Sequence, residues 1–420
     1  MFNNSQINQW LWKWHIIAGL ITLPFILLLA ITGTIYLFKS DVNEQVYKDV
    51  FFVKSRSLEA IPLPYTEQLM AAKLHSSKEI TGVDLPESDE YNTGFKLKGK
   101  GRASEVLYID PYTGELTGKF SQQQTLMHKV RKLHGELLLG KLGTLAIELV
   151  ASWFIVLLLT GIYIWWPKKA YGGGVFTIRF KGGKRLFWRD VHAVGGFWLS
   201  LFLLLIIAGG MPWTDVFGDN LKWLQKQTDS GYPQHWQNAK GLSSGAPYPI
   251  NSKTPISLDN AIKVAKDLNL KGSISITLPN SDTGVFTLSN RALWLADQHV
   301  IHIDQFTGKT VKSLAWKDVG ILMELRQFFM RLHQGEYGLA NWLGVLLVAV
   351  LFTLTTVGGL LSYLKRKPAG RWGLPSVPAS FHVDKILFSI IILLGALFPM
   401  LGGSLILLVI WEKVRQRETS

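Results

Sequence analysis

The feature that most constrains the fold of this chain is a set of apolar runs that are too long for a soluble core. A helix needs roughly 20 mostly apolar residues to cross the hydrocarbon of a bilayer. Five stretches reach about that length, at residues 16–38, 145–166, 194–213, 342–364 and 387–411. Together with a hydrophobic content of 48% over 420 residues, they predict a polytopic α-helical membrane protein.

The first and the last of these stretches need separate treatment. The apolar part of the first is longer than the roughly 7–15 residues of a signal peptide, and no small-x-small cleavage site follows it, so we expect a retained anchor. The fifth holds Pro399, Gly402 and Gly403 near its middle, and its 25 residues are too few for two full crossings. It is predicted to form either one kinked span or a short re-entrant pair.

The orientation follows from lysine and arginine in the short connections, which favour the cytoplasmic side. The segment KRKPAGR, which follows the fourth stretch, is rich in these residues. Segment 167–190 contains seven of them: Lys168, Lys169, Arg179, Lys181, Lys184, Arg185 and Arg189. We therefore expect a cytoplasmic N-terminus and periplasmic segments between spans one and two and between spans three and four. The basic tail after residue 411 would conflict with this rule if the fifth stretch crossed fully.

Charge and cysteine content exclude several functions. The net charge of +14 arises mostly from the topological bias, and no basic patch interleaved with aromatic residues indicates a nucleic-acid partner. The absence of cysteine excludes disulfides, thiolate metal sites and iron–sulfur clusters. The glycines of YGGGVF and FKGGKR lack the context of a phosphate or dinucleotide loop, so they are expected to be ordinary loop residues.

Two related sequences in the outer segments indicate an internal duplication. EVLYIDPYTGELTG and HVIHIDQFTGKTVK each read as strand, turn and strand, with the turn residues Asp110, Thr113 and Gly114 in the first and Asp304, Thr307 and Gly308 in the second. Helix-like segments, YTEQLMAAKL and SLDNAIKVAKDL, precede them. Each outer segment is therefore predicted to be a small α+β module.

The predicted fold is a four-helix bundle with a C-terminal fifth apolar segment and two outer modules. Its domains in chain order are a first span (1–38), module one (39–121), a second span with its lead-in (122–166), a basic cytoplasmic loop (167–190), a third span (191–213), module two (214–317), a fourth span with its lead-in (318–364), a cytoplasmic loop (365–386), the fifth segment (387–411) and a tail (412–420).

Four of the ten histidines lie at the predicted starts of the first four spans. Because successive spans run in opposite directions, His15 and His192 are expected near the cytoplasmic face, and His134 and His333 near the periplasmic face. Two imidazoles at one depth on two helices can ligate a haem iron from both sides. A single histidine at a membrane edge is more often only an interfacial residue, but two depth-matched pairs predict two haem sites.

The other histidines are weaker candidates. His382, ahead of the fifth stretch, is a rival to His15 or His192 as an inner ligand. His128 has a glutamine at the repeat position, and the histidines of the outer segments are expected to be solvated: His75, His235, His299 and His302. Small residues in or beside the spans are expected to let helices approach a flat cofactor: Gly19, Gly33, Gly161, Gly195, Gly196, Gly209, Gly210, Gly358 and Gly359.

The chain resembles the PepSY-associated transmembrane family over nearly its whole length. The resemblance rests on LHGELLLGKLG…LLLTGIYIWWPKK, on LHQGEYGLANWLG…GGLLSYLKRKP and on the two YIDPYTGEL-like turns. That family includes iron-regulated bacterial inner-membrane proteins and ferric-siderophore reductases with two b-type haems. The resemblance implies an inner-membrane oxidoreductase with two haem b, ligated by His134, His333, His15 and His192, that reduces ferric siderophore in the periplasm.

The electron donor and the substrate contacts are less well defined. The donor is left open between a membrane quinol and a cytoplasmic reductase that docks on the basic loop. Trp213 and Trp223, in MPWTDVFGDNLKWL, are candidate contacts for the siderophore, although Trp213 also suits an interfacial belt. The alternative function is a membrane-anchored PepSY regulator or sensor of periplasmic peptidases without redox activity.

Overall fold

The computed structural model describes residues 5–54, 59–99, 105–166, 174–245, 254–378 and 381–419, so that Lys168 and Lys169 lie outside the described residues. The helices and strands follow in this order: α1 (Ser5–Leu37), α2 (Lys39–Val46), α3 (Lys48–Phe51), α4 (Tyr65–Leu74), β1 (Ile80–Asp84), β2 (Thr93–Leu97), β3 (Val106–Ile109), β4 (Leu116–Phe120), α5 (Leu126–Glu136), α6 (Lys141–Trp165), α7 (Lys184–Gly210), α8 (Val216–Gln227), α9 (Leu258–Asp267), β5 (Ser273–Thr277), β6 (Val285–Arg291), β7 (His299–Asp304), β8 (Thr310–Ala315), α10 (Ile321–His333), α11 (Gly338–Arg366), α12 (Lys385–Leu397) and α13 (Pro399–Thr419).

The described residues divide into two compact units. A helical unit is drawn from residues 1–37, 130–224 and 326–420, and a sheet unit from residues 38–129 and 225–325. Four helices in the described ranges are long and apolar enough to cross a membrane, namely α1, α6, α7 with its terminal 3₁₀ turn, and α11. These four helices coincide with the first four apolar stretches of the sequence, which supports a membrane-embedded protein.

Two spanning helices begin well before their apolar runs. α1 starts at Ser5 and α7 starts at Lys184. His15 and His192 therefore lie inside helices, whereas the sequence predicts that they lie at helix starts. The prediction was wrong because a helix satisfies its backbone internally whatever its side chains are. The helices therefore continue through the aromatic and charged residues that flank the apolar runs.

The other two histidines lie on short helices that precede the spans. A short non-helical segment separates α5 from α6, and its residues Leu137, Leu138 and Gly140 have positive φ. Gly335 and Gly338, also with positive φ, lie between α10 and α11 in the same way. His134 lies in the last turn of α5, and His333 is the last residue of α10. The prediction that they lie at helix starts is therefore also wrong. At the C-terminal ends of α5 and α10, where they lie, the helix macrodipole favours a positive charge.

The spanning helices pack closely in pairs. α1 contacts α6 and α11, and α7 contacts the same two helices. A Cβ on Gly195 would lie 2.5 Å from Thr355 Oγ1, and one on Gly358 would lie 2.9 Å from the Val191 side chain. α7 and α11 therefore need glycine where they cross, as small-residue helix packing predicts.

The fifth apolar stretch forms two helices that fold back on each other. α12 ends before Phe398, and α13 begins at Pro399 and packs against α12. A Cβ on Gly402 would lie 2.5 Å from the carbonyl oxygen of Gly395, so the two backbones touch near the turn. With 13 residues, α12 is about 20 Å long, shorter than the roughly 30 Å hydrocarbon layer. The fifth stretch is therefore a pair of helices joined at Phe398 and not a single kinked helix.

The strands of both predicted modules form one antiparallel sheet of eight strands, in the order β4-β3-β2-β1-β5-β6-β7-β8. β1 and β5 join the two halves, with Val83 opposite Ile276. One face of the sheet packs against α4 and α9 around the buried side chains Phe95 and Leu288. The two helices also meet directly, because the Asp259 carboxylate of α9 accepts hydrogen bonds from the first amides of α4.

The two predicted turns are confirmed. Asp110 Oδ1 accepts the amides of residues 112 and 113, and Asp304 Oδ1 accepts those of residues 306 and 307, at 2.8–3.2 Å. Gly114 and Gly308 follow with φ of +75° and +68°, a conformation that favours glycine. The two hairpins therefore use the same local chemistry.

His302 corrects the expectation that the outer histidines are solvated. It lies on β7 with 0% of its surface exposed, because the segment that contains His235 covers this part of the sheet. Its Nδ1 is 2.9 Å from Thr287 Oγ1, and its Nε2 is 2.9 Å from the carbonyl oxygen of His235. Strand alternation places His302 on the side of β7 opposite its core-facing isoleucines, and the covering loop is a tertiary effect that alternation does not reveal.

Candidate functional site

The four span-associated histidines form two pairs in the helical unit. The ring centroids of His15 and His192 are 6.2 Å apart, and those of His134 and His333 are 6.1 Å apart. The ring planes make angles of 64° and 73°, so neither pair is stacked face to face. The structure therefore brings together the residues that the sequence paired.

This separation matches the space that one metal ion needs between two imidazoles. A metal–nitrogen bond of about 2.0–2.1 Å and an imidazole nitrogen about 1.1 Å from its ring centre place the two centroids about 6.3 Å apart. No group of three or more His, Asp or Glu side chains in the described ranges could hold a metal ion. A metal held within either pair would need further ligands, and the four nitrogens of a porphyrin are one such set.

Two of the histidines are oriented by threonine hydroxyls. His15 Nδ1 lies 2.9 Å from Thr160 Oγ1, and His134 Nδ1 lies 3.0 Å from Thr32 Oγ1. Each hydroxyl already donates to the carbonyl oxygen four residues earlier, at 2.7 Å for Thr160 and 2.6 Å for Thr32. The hydroxyl must therefore accept, and the imidazole Nδ1–H must donate.

The two partner histidines are oriented by backbone carbonyls. His192 Nδ1 donates to the carbonyl oxygen of Thr355 at 3.1 Å, and His333 Nδ1 donates to that of Ile206 at 2.7 Å. In all four histidines the network assigns the proton to Nδ1, which leaves Nε2 as the atom with a lone pair. No described residue makes a hydrogen bond with any of these four Nε2 atoms.

Each of the four rings also lies against a glycine of another helix. A Cβ on Gly161 would lie 3.3 Å from the ring of His15, and one on Gly33 would lie 3.2 Å from the ring of His134. A Cβ on Gly359 would lie 2.6 Å from the ring of His192, and one on Gly209 would lie 2.6 Å from the Cβ of His333. A side chain at any of these positions would press on the imidazole. The glycines therefore help to set the position of each ring.

A cavity of about 620 Å³ lies at the inner pair and is bordered by both His15 and His192. Apolar side chains such as Leu158 and Phe352 form most of its wall, with Gly19 and Gly196 among the small residues. Three arginines also line it: Arg185, Arg189 and Arg366. A mostly apolar space bordered by two imidazoles, with cations for carboxylates, fits a haem and its propionates.

Burial keeps the outer pair uncharged. Burial lowers the pKa of His134 to about 4, and the charge of His333 lowers it as well. Burial also lowers the pKa of His333, against the opposing effect of its hydrogen bond to Ile206. Neutral imidazole is the form that binds a metal.

The remaining candidates are His382, Trp213 and Trp223. His382 is exposed in an irregular segment and is not among the described residues that line the inner cavity. Trp213 is 38% exposed, with the Arg326 guanidinium 4.4 Å from its ring centroid, and Trp223 is 63% exposed on α8. Nothing in the structure assigns either tryptophan to a substrate.

Sequence reasoning missed the threonines and a buried carboxylate. Thr32 and Thr160 stand directly before Gly33 and Gly161, so the repeated Thr-Gly pair in two spans was the available signal. Glu148, 0% exposed on α6, accepts the first two amides of α8 at 2.9 Å each and so fixes the segment that holds Trp213. A lone glutamate in an apolar run gave no indication of that partner.

Four long apolar helices with two histidine pairs define this chain as a membrane-embedded protein with two candidate metal-ligating centres. Residues 12–366 match the model of the PepSY-associated TM region, and the chain belongs to that family. No curated protein matches the chain.

Proposed function

We propose that this protein is a two-haem b electron-transfer protein of the bacterial inner membrane that reduces ferric siderophore on the periplasmic side. The observation that carries the proposal is the arrangement of His15 with His192 and of His134 with His333. In each pair the rings are about 6 Å apart, both Nδ1 atoms donate to protein oxygens, and both Nε2 atoms are left for a metal.

The arrangement also supports an internal duplication. In the first half a histidine on α1 meets a Thr-Gly pair of α6, and a histidine on α5 meets a Thr-Gly pair of α1. In the second half histidines on α7 and α10 meet glycines of α11 and α7. The four spans then form one bundle built from two copies of a span, module and span unit, with two haem sites related by the repeat.

The topology we propose has the N-terminus in the cytoplasm and the sheet-forming segments in the periplasm. The described part of the loop before α7 is basic, and Asp190, in the second turn of α7, is fully buried and bonded to Arg179 and Arg189. Because α12 and α13 fold back on each other, the basic tail returns to the side of the loop before α12. The conflict with the positive-inside rule that a fifth crossing would create is then removed.

The proposed reaction has a simple balance. One electron converts siderophore-bound iron(III) to iron(II), which hard oxygen ligands hold only weakly, so reduction is a release step. A quinol would supply two electrons and release two protons, and a cytoplasmic reductase is the other donor class. Haem, when bound, supplies reversible one-electron chemistry; the protein residues orient it, exclude water and hold the ligands neutral.

The experiment is a single-turnover reaction with the purified protein. The protein is reduced chemically and mixed anaerobically with ferric siderophores, while its absorption spectrum reports reoxidation and an iron(II) chelator traps the product. We expect reoxidation together with trapped iron(II). His134→Ala should lose the outer haem and reoxidise much more slowly, with His75→Ala as a matched control at an exposed histidine.

Two results would contradict the proposal. If His134→Ala reoxidised as fast as the parent, electrons would leave by a route other than the outer pair. A colourless protein from haem-replete cells would instead support the alternative, a PepSY regulator or sensor of periplasmic peptidases.

A further inference from the structure

The sheet unit contains a groove of about 590 Å³ that the proposed electron transfer does not use. It lies over β1, β2, β3, β5 and β6, and its floor includes the small residues Gly94, Ser275 and Ser289. Their neighbours along the same strands, such as Phe95 and Leu288, are buried in the core shared with α4 and α9. Strand alternation therefore places the groove on the opposite face of the sheet.

The walls of the groove are held in place by packing. Ser40, Asn43 and Glu44 lie at positions i, i+3 and i+4 of α2, so one face of that helix forms a side of the groove. Phe51, the last residue of α3, packs against the sheet. Its ring centroid is 5.1 Å from that of Tyr108 and 4.9 Å from that of Phe120. The groove is therefore formed in the protein before any ligand enters, as small-molecule sites usually are.

Among the described residues, the groove is lined by more carboxylates than cations: three carboxylates face two cations. Lys96 is committed to Asp84 at 2.7 Å and to Ser275 Oγ at 2.7 Å, and Arg291 is the other cation. Glu44 and Glu87 also line the groove, and neither forms a salt bridge with a described residue. The carboxylates that remain available are therefore on the side of α2 and of the β1–β2 loop.

Asn92 adds a buried acceptor to this side. It is 2% exposed and lines the groove, and its Nδ2 donates to the carbonyl oxygens of Val50 and Phe52 and to Thr117 Oγ1. Its Oδ1 has no hydrogen-bond partner among the described residues. A buried acceptor without a donor is uncommon in folded proteins, and a donor on a ligand would satisfy it.

The tyrosines report the same negative field. Burial raises the pKa of Tyr91, and the charges of Glu44, Glu87 and Glu90 raise it as well. Burial raises the pKa of Tyr108 to about 12, with a contribution from Asp84. Both phenols therefore line the groove as uncharged side chains.

We propose that the groove is a binding site for a small polar molecule that carries a primary ammonium group. Its carboxylates would accept the ammonium hydrogens, and the faces of Tyr91, Tyr108 and Phe51 would stabilise the charge. The volume lies within the range of pockets that hold small molecules. This site is independent of the histidine pairs, and its ligand need not be the siderophore.

The test is calorimetric titration of the full-length protein in detergent with 1,5-diaminopentane. The uncharged match is 1,5-pentanediol, and the match of opposite charge is pentanedioate. We expect saturable binding of the diamine alone. Glu44→Gln combined with Glu87→Gln should weaken it about tenfold, the effect of losing two partly exposed ion pairs. Glu115→Gln, an exposed carboxylate that does not line the groove, should leave it unchanged.

A second variant tests the volume separately from the charge. Ser289→Leu places a large side chain on the floor and should abolish diamine binding. The proposal is overturned if the parent binds no diamine, if diol and diamine bind equally, or if the double glutamine variant binds like the parent. Haem content is measured in the same samples, so that loss of amine binding with haem retained leaves the proposed electron transfer standing.

Discussion

The helical unit and the sheet unit each contain histidines about 6 Å apart, but they use them differently. In the sheet unit the ring centroids of His235 and His302 are 6.3 Å apart, close to the 6.2 Å and 6.1 Å of the two pairs in the helical unit. Both nitrogens of His302 have hydrogen-bond partners. In the helical unit only Nδ1 is bonded, and Nε2 is left available.

The comparison shows that the spacing of two histidines does not make a ligand pair. What distinguishes the helical unit is the combination of a fixed Nδ1–H, an available Nε2 and a glycine against each ring. His302 instead uses both ring nitrogens in hydrogen bonds within the sheet unit, which is the ordinary state of a buried polar side chain. Variants that each remove one of these features separate their contributions.

The largest effect is expected from removing a ring. His333→Ala should leave about one haem per chain, because the haem proposed at the outer pair would lose one of its two histidines, whereas His302→Ala should leave haem content unchanged. The measurement is the haem-to-protein ratio of each purified variant. Equal haem loss in both variants would mean that the hydrogen-bond pattern does not identify ligands.

The next effect is expected from filling the space beside a ring. Gly359→Val should displace His192 and remove most of the inner haem, because even a Cβ would lie 2.6 Å from His192 Nδ1. Gly344→Val on the same helix is the control, since a Cβ there has no atom within 4 Å. Absorption spectra at matched protein concentration measure both, and similar haem content would show that the glycine does not position the ring.

A smaller effect is expected from removing an Nδ1 partner. Thr160→Val keeps the shape of the side chain and removes the oxygen that accepts from His15, so inner haem affinity should fall about 10- to 100-fold. Thr144→Val is a control on the same helix, because Thr144 bonds only the carbonyl oxygen of Gly140. Haem transfer to apomyoglobin measures the change, and equal transfer from both variants would exclude an orienting role for Thr160.

The smallest effect is expected in the sheet unit and depends on pH. Burial lowers the pKa of His302, and the charge of His235 lowers it too, so the folded state binds a proton less readily than the unfolded state. Stability should therefore fall as the pH drops below about 6.5, the usual histidine value, by at most about 1.4 kcal/mol per pH unit.

The measurement is thermal unfolding in detergent between pH 7.5 and 5.5. His302→Gln should make the pH dependence less steep, whereas His75→Gln, at an exposed histidine, should retain the parent slope. A slope as steep in His302→Gln as in the parent would assign it to other groups, such as His134 and His333.

Much of the fold could be predicted because it depends on local patterns. Apolar runs identified four spans, and the Asp, Thr and Gly turn residues identified two hairpins. The same repeat paired His15 with His192 and His134 with His333, which the structure places together. The identity of the residues was enough because each pattern reflects a requirement of the backbone or the bilayer.

The rest depends on tertiary contacts that no local pattern contains. The sequence did not show that β1 would pair with β5, or that His134 and His333 would end separate helices. The fold-back at Phe398 and the capping of α8 by Glu148 depend on the packing of distant segments. His302 was misjudged for the same reason, because a loop far away in sequence covers it.

We propose that each histidine pair of the helical unit holds one haem b. The most direct measurement is the pyridine haemochrome spectrum and haem-to-protein ratio of the protein purified from haem-replete cells, for the parent, His15→Ala and His134→Ala. We expect about two b-type haems in the parent and about one in each variant. A parent without haem, or two haems retained in both variants, would contradict the account.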